Sequence, residues 1–572
     1  MTDPSDTPKG PSNTPSRTAP SDEQAADSSS SAAGSVAVGI LASRLMGLVR
    51  ERVIAYYFGV GAHADVWTVA SRAPNLLQNL LGEGTISAAF IPIYSRMLEE
   101  GRLEEAGRFA GAIFGLLTVV ASAVVLLGVV FAEPLAAVLA AGFLDDPPAS
   151  AGAVDRFALL VTTLRILFPM TGLLVLAAWA LGVLNSHRQF FVPYIAPVLW
   201  NVAIIAGLGG GAYIFAGSPW TPTALEADTL TRLLIAGCGG AVVGGALQFG
   251  VQVPFVWTHL HGFRLSVSTR VEGVREAIAA FGPVVAGRGV AQLSSYLDTF
   301  LATFLAVGAL SALRYAQLFY LLPISLFGMS VAASELPELS RLTGDTVATF
   351  LERLRRSLRQ IAFLTVPTIV GYLAFGVLLV GALLRTGQFQ AGSTWLVTLV
   401  LAGYSLGILA TTFSRLLQNA FYAIGDTKTP ARYAVVRVTA STVVALPAML
   451  WLDDVRLVDV VPLPAASDPL FLGALGLSLG ATVGAWLEFG LLVAALRPSL
   501  PDLSIPWRPV ARMLGLALGA LLPAGALWWM LPDAPALVLA PLVGGLFAAV
   551  YLGGAVALNL PDVEPWLNRL RR

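Results

Sequence analysis

Arg44, Arg50, Glu51 and Arg52 stand inside the first long apolar stretch of the chain, and Asp65, Arg72, Gln78 and Glu83 begin or line the second. An arginine at the centre of a membrane-spanning helix costs about 2.5 to 3.5 kcal/mol on insertion scales, so several together imply a protein-lined, wet cavity. Guanidinium groups match phosphate oxygens in a planar, bidentate manner, so arginines around such a cavity point to a phosphate or pyrophosphate ligand. Arg44 and Arg50 are about 120° apart on an ideal helix, and Gly47 between them can relax that geometry. The competing explanation for Arg50, Glu51 and Arg52 is an interfacial cluster whose charged heads reach out to the membrane surface.

On the second stretch, Arg72, Asn75, Asn79 and Glu83 fall at helical spacing on one face. That stripe is either a wall facing an anionic, hydrogen-bonding substrate or a polar seam between helices. In the second half of the chain Arg288 and Asp298 occupy one apolar stretch and Arg314 begins the next. Arg288 and Asp298 are about 80° apart around a helix but about 15 Å apart along it, so they can share a wall without pairing. Asp298 unpaired in lipid is either neutral or a cation ligand; a helix–helix hydrogen bond is the alternative.

The rest of the composition excludes most other chemistry. Among 572 residues, 56% are hydrophobic and 12% charged, with a mean hydropathy of +0.74, which is too apolar for a soluble chain of this length and fits a polytopic, all-α membrane protein. The formal net charge of zero gives no nucleic-acid footprint. One cysteine, Cys238, excludes an intramolecular disulfide, and the four histidines lack metal-ligand spacing, with His259 and His261 reading as a loop pair. There is no nucleophile motif, glycine-rich phosphate loop or ATP-binding domain, so the sequence does not read as an enzyme.

The elements that must position these residues follow from the length rule, which gives about fourteen spans. They fall near 35–58, 66–95, 107–131, 155–184, 190–216, 230–257, 275–306, 311–338, 357–384, 393–423, 430–452, 470–496, 508–531 and 534–560. Arginine and lysine crowd the loops after even-numbered spans (Arg96, Arg102, Arg108, Arg264, Arg270, Arg355, Arg356, Lys428, Arg508), whereas the loops after odd-numbered spans hold little beyond Arg156, Arg232, Arg385 and Arg456. That asymmetry places both termini in the cytoplasm. Ala42-Ser43-Arg44 recurs as Ala286-Gly287-Arg288, and Pro92-Ile93-Tyr94-Ser95-Arg96 as Pro337-Glu338-Leu339-Ser340-Arg341. The copies are six spans apart, so the halves are parallel repeats with a site between them and the last two spans are an addition. The expected division is a disordered tail at 1–33, an N-lobe at 34–258, a C-lobe at 259–500, a final helix pair at 501–561 and a short basic tail at 562–572.

The stretches SRLMGLVRE, FGVGAHAD and APNLLQNLLGEGTISAAFIPIYS, with LNSHRQFFVPYIAPVLWN, RYAQLFYLLPISLFGMSVAASELPELS and AFYAIGDTKTP, resemble the MurJ/MviN family of bacterial lipid II flippases over residues 35 to about 560. The resemblance implies fourteen helices in two six-helix lobes plus a final pair that grooves the lipid tail. It also implies an alternating-access transporter of the cytoplasmic membrane that moves undecaprenyl-pyrophosphate-linked disaccharide pentapeptide for peptidoglycan synthesis and cell shape. Lipid II, membrane lipids and the cell-wall synthesis machinery are the partners it suggests. The family's first-helix arginines match Arg44 and Arg50, its following acid matches Glu51, and its second-helix acid matches Asp65.

Two family arginines are missing, one replaced by Gln78 after Pro74-Asn75-Leu76-Leu77 and the other by Leu318 in Tyr315-Ala316-Gln317-Leu318. Arg314, a turn before Leu318, and Arg288 are the expected replacements, giving an anion site of Arg44, Arg50, Arg288 and Arg314. Some relatives bind sodium at positions matching Asp298, Asn419, the backbone of Val435 and Thr439, with a further acidic ligand falling at Ala423. The alternatives are a flippase for another polyprenyl-linked glycan or a drug exporter of the same superfamily, and a non-transporting scaffold that has lost part of its arginine site.

Overall fold

The computed structural model describes residues 22–146, 154–220, 225–329, 347–463 and 469–563, with side chains throughout except at 22–33, 35, 83, 286–295 and 328–329. Among these residues the secondary structure is helical apart from one isolated bridge between Arg456 and Phe471. The first lobe holds α1 (Asp22–Phe58), α2 (Ala62–Leu81), α3 (Glu83–Ala89), α4 (Ile91–Glu99), α5 (Leu103–Val130), α6 (Ala132–Leu139), α7 (Arg156–Ser186), α8 (Phe191–Ala216), α9 (Ala227–Gly250) and α10 (Val253–Trp257). The second holds α11 (Val274–Ala302), α12 (Ala309–Pro323), α13 (Val347–Leu384), α14 (Ala391–Ser405), α15 (Ile408–Ala423), α16 (Lys428–Asp453), α17 (Leu457–Val460) and α18 (Gly473–Leu496). α19 (Trp507–Met530) and α20 (Ala536–Ala557) pack on each other and on α13, outside both lobes.

Ten helices among the described residues are long and apolar enough to cross a membrane, or eleven if α14 and α15, bent by 40°, form one span. The expected fourteen is reached only by adding α1, α2 and α11, of 37, 20 and 29 residues. These three carry Arg44, Arg50, Glu51, Asp65, Arg72 and Asp298, the charges that set the first expectation. α1 begins at Asp22, inside the stretch expected to be a disordered tail, and the second copy of the Pro-to-Arg repeat at 337–341 lies outside the described residues.

The second span is not one helix. It stops at Leu81, and Gly82, whose N–H still bonds the carbonyl of Gln78 at 2.7 Å, turns the chain into α3. Glu83 therefore leaves the helix that carries Arg72, Asn75 and Asn79, and its side chain lies outside the described residues. The two glycines of Gly82-Glu83-Gly84 are poor helix formers and mark the place.

At the arginine-poor end, one buried cluster runs continuously through both lobes, from Ile54 and Val66 through Phe143 and Leu160 to Leu310, Phe389 and Leu472. Trp220, Trp451 and Trp529, all at least 70% exposed, ring that end as interfacial aromatics do. At the arginine-rich end a second buried cluster packs Val274 and Ala277 of α11 against Ile93, Met97 and Phe109, and polar contacts on the surface surround it. Arg96 of α4 pairs with Glu276 of α11 at 2.9 Å, and Arg102 bridges Glu100, Glu105 and Glu272. Hydrogen bonding and charge from Arg102 hold the Glu272 carboxyl below the usual carboxylate range. His259 does not form a loop pair with His261 alone: it stacks on His187 at 4.4 Å, and Tyr94 meets His187 at 3.1 Å.

The segment joining the lobes lies along a glycine track on α5. A side chain at Gly107, Gly111 or Gly115 would run into the carbonyl oxygens of His261, Arg264 or Ser266. Backbone cannot yield as a flexible side chain does, so Gly111→Leu is expected to lift the joining segment off α5. Limited proteolysis between residues 258 and 272 would then speed up several-fold; an unchanged cleavage rate would show that the track is not what holds the segment.

Candidate functional site

The structure gathers the expected arginines into two connected groups. One is a cavity of about 320 Å³ walled by α1, α2, α7, α8 and α9, whose only charged lining residues are Arg44 and Arg50. Asn75, Gln78, Asn201, Gln248 and Gln252 supply its polar lining. Arg44 is exposed; Arg50 donates to Asn201 Oδ1 at 2.8 Å and lies over the Trp200 ring at 4.8 Å, a cation–π contact worth about 0.5 to 2 kcal/mol. Gln252 is buried, and its Oε1 has no hydrogen-bond partner. The cavity lining thus holds two guanidiniums and several amide groups and no carboxylate, while Arg50 alone has a counter-charge, Glu51, behind the wall; such a lining suits an anion with hydrogen-bonding substituents.

The second group is a buried ion cluster on the cavity's flank. The Glu51 carboxylate accepts from Arg50 at 2.7 Å and from Arg314 of α12 at 2.7 and 3.1 Å, while Arg314 also donates to Ser71 at 3.2 Å. Glu51 therefore ties the two lobes together and acts as the counter-charge of two guanidiniums. Arg314 is not a free replacement for the arginine missing at Leu318, because its donors are already engaged in this conformation. Arg288 belongs to α11, and its side chain lies outside the described residues.

Arg72 also turns away from the expected wall. Gln78 lies about 120° round the helix from Arg72, so Asn75 and Gln78 face the cavity while Arg72 reaches the second lobe. There it donates to Gln317 Oε1 at 3.2 Å and lies over the Tyr296 ring, and Gln317 donates to the Tyr404 hydroxyl at 3.1 Å. Asn79 is exposed and outside the cavity lining. Arg52, beside the cluster, caps the end of α13 through the carbonyls of Ala382 and Leu383 at 2.9 and 2.7 Å.

Asp65 is not a cavity residue. It is fully buried at the arginine-poor end, where it accepts from the N–H groups of Gly308 and Ser311 at 2.7 and 2.8 Å and from the Ser311 hydroxyl at 2.8 Å. Gly308, with φ +94°, starts α12 without a capping side chain of its own. A carboxylate from the other lobe supplies the cap and meets the positive end of the helix dipole. Arg156 stands 3.6 Å from Asp65, pairs with Asp146 and lies over Phe143. The sequence offered Arg156 only as a loop charge, and Trp200 and Asn201 only as part of a matched stretch; three-dimensional neighbours give them roles.

The positions expected to bind sodium are spread over three helices. Val435 and Thr439 lie on the exposed face of α16, and the Thr439 hydroxyl donates to the Val435 carbonyl at 3.0 Å. Arg437, between them in sequence, points inward instead and pairs with buried Glu488 at 3.2 Å, which also accepts from Gln418. Asp298 is half-buried on α11 and Asn419 half-buried on α15. Among the described residues no three His, Cys, Asp or Glu side chains form a metal-holding group.

A third feature is an apolar groove of about 330 Å³ between α13 and α20, lined by Phe363, Pro367, Tyr372, Phe375, Val543 and Phe547 among others. It gives the added helix pair a face that an acyl or prenyl chain fits.

Comparison with known proteins accounts for this arrangement. The family model described as lipid II flippase MurJ matches residues 54–539. The lipid II flippase MurJ of Burkholderia cenocepacia is 31% identical over 532 residues, covering 90% of this chain and 94% of that protein. The probable lipid II flippase MurJ of Haemophilus influenzae is 30% identical over 409 residues, covering 70% and 77%. Among solved structures, lipid II flippase MurJ in an inward closed conformation superposes with a TM-score of 0.67 at 21% identity, covering 91% of this chain and 99% of that one. An inward-facing multidrug resistance MATE transporter of the MOP superfamily superposes with a TM-score of 0.58 at 14% identity, covering 80% and 95%. A sequence match that runs through both lobes and into the final pair, with a two-lobed helical fold like that of the solved flippase, places the chain in the MurJ family of lipid II flippases.

Proposed function

We propose that the protein flips lipid II, the undecaprenyl-pyrophosphate-linked peptidoglycan precursor, across the bacterial cytoplasmic membrane by alternating access. The observation that carries the reading is the carboxylate-free cavity holding Arg44 and Arg50 beside Asn75, Gln78 and Asn201. In this reading the pyrophosphate binds Arg44 and Arg50, and the amides take the sugar hydroxyls and the peptide. Glu51 neutralises Arg50 and Arg314 while the site is empty and yields one of them to the arriving anion. The groove between α13 and α20 takes the lipid tail. With the arginine-rich end in the cytoplasm, the sealed end faces outward, which suits a protein waiting for cargo from inside.

An inside-negative membrane favours outward movement of the anionic pyrophosphate by about 2.3 kcal/mol per charge per 100 mV. Coupling to sodium would use Asp298, Asn419, the backbone of Val435 and Thr439; equal transport in sodium-free and sodium-containing buffer would exclude it. The function itself is tested by expressing the chain in cells depleted of their lipid II flippase and measuring lipid II at the outer surface. Rescue by the wild type, with at least a tenfold loss in Arg44→Ala and Arg50→Ala, is the expected result; a well-expressed wild type that fails to rescue overturns the reading.

A further inference from the structure

The arginines at the centre of the molecule are nearly all engaged: Arg50 and Arg314 with Glu51, Arg72 with Gln317, Arg437 with Glu488. Arg415 of α15 differs. It is exposed, and it has neither a hydrogen bond nor an ion pair among the described residues. It lies about two helical turns, or about 12 Å, short of the end of α15, deep enough that a lipid-facing arginine would be costly.

The internal repeat indicates what it faces. α7 packs on α2 and α9 as α14 and α15 pack on α12 and α18. α7 runs unbroken through Pro169 at its midpoint, where the pair bends at Leu406–Gly407, and both finish at the arginine-rich end, at Ser186 and Ala423. Matching the proline to the bend, and the two ends to each other, sets Arg415 against Ala177 or Ala178, and both of these line the first-lobe cavity. A second observation agrees with that placement. Thr411, one turn before Arg415 on the same face, shares a 3.3 Å hydrogen bond with Tyr320 of α12, the helix whose Arg314 and Gln317 meet α1 and α2.

We infer that Arg415 is the second lobe's anion contact, taking a phosphate or carboxylate oxygen of the cargo on the wall opposite Arg44. It supplies the cation that the sequence sought in Arg314, and only the fold shows that it looks inward. The inference rests on the reading of the cargo as lipid II and deepens it.

The test uses the full-length protein in detergent with three probes: lipid II, undecaprenyl pyrophosphate and uncharged undecaprenol. Arg415→Gln is expected to weaken lipid II roughly tenfold, the size of one charged hydrogen bond, with Arg415→Lys recovering most of the loss and undecaprenol unaffected. A loss shared with undecaprenyl pyrophosphate assigns the contact to phosphate; a loss confined to lipid II assigns it to a peptide carboxylate. In parallel, Arg415→Cys in a Cys238→Ala background is expected to react with a water-soluble maleimide and to be protected by lipid II. Unchanged lipid II binding in Arg415→Gln, or a cysteine that does not react, overturns the inference while leaving the proposed function standing. A wild type that binds none of the probes overturns both.

Discussion

Glu51→Gln will leave the protein folded poorly and unable to flip its cargo. Its carboxylate sits 2.7 Å from both Arg50 and Arg314, and its side chain is 6% exposed. The amide that replaces it keeps the shape and removes the charge, so two guanidiniums are left close together with no counter-ion. Breaking a buried pair from one side costs about 3 to 5 kcal/mol, because the remaining charge has lost both water and partner. Thermal unfolding in detergent should fall accordingly, and lipid II should stay inside in the depletion assay. Glu51→Asp preserves the charge and is expected to keep most of the activity. Adding Arg314→Gln to Glu51→Gln should restore part of the lost stability, since it removes one of the stranded cations. A Glu51→Gln protein as stable and as active as the wild type would mean that the cluster is not the tie between lobes described above.

Asp65→Asn is expected to act on the conformational equilibrium rather than on cargo binding. The aspartate accepts three hydrogen bonds at the start of α12 from a helix of the other lobe, so it stabilises only the form in which the arginine-poor end is shut. Hydrogen bonds to a charged group contribute about 1.5 to 3 kcal/mol, or roughly ten- to a hundredfold in the ratio of shut to open molecules. A cysteine placed at Val60, which packs beside Gly308, reports that ratio through its reactivity with a membrane-impermeant reagent from outside. The expected result is faster labelling in Asp65→Asn than in the wild type, with Kd for lipid II changed less than threefold. Equal labelling rates would remove Asp65 from the seal.

Much of this site was legible in the chain because charge in a membrane-length apolar stretch is hard to explain any other way. Arg44 and Arg50 could be placed in a wet cavity from that cost, whereas the stripe through Asn75 left a wall and a helix seam both open, and the resemblance suggested the cargo. What could not be read is which partner each charge finds. Arg314 and Arg72 look like free cations in one dimension, yet Glu51 and Gln317, each from the other lobe, engage them. Asp65 looks like a substrate-site acid at the start of the second span, and the helix start it caps lies well over two hundred residues away. The break at Gly82 was written in the two glycines around Glu83, but apolar length alone reads through them. Arg437, between Val435 and Thr439, is a further case: the chain gives no sign that it pairs with buried Glu488, fifty-one residues on.

The two ends of the molecule are closed by different kinds of force. One end is held by a dry core and a buried carboxylate, which added salt scarcely reaches; the other adds to its smaller apolar cluster a set of exposed arginine–glutamate pairs that counter-ions weaken within a Debye length of about 8 Å at physiological ionic strength. Salt therefore acts on one end of the molecule and spares the other. In the reading proposed above, a polyanionic cargo is itself a concentrated counter-ion and competes for the same surface arginines.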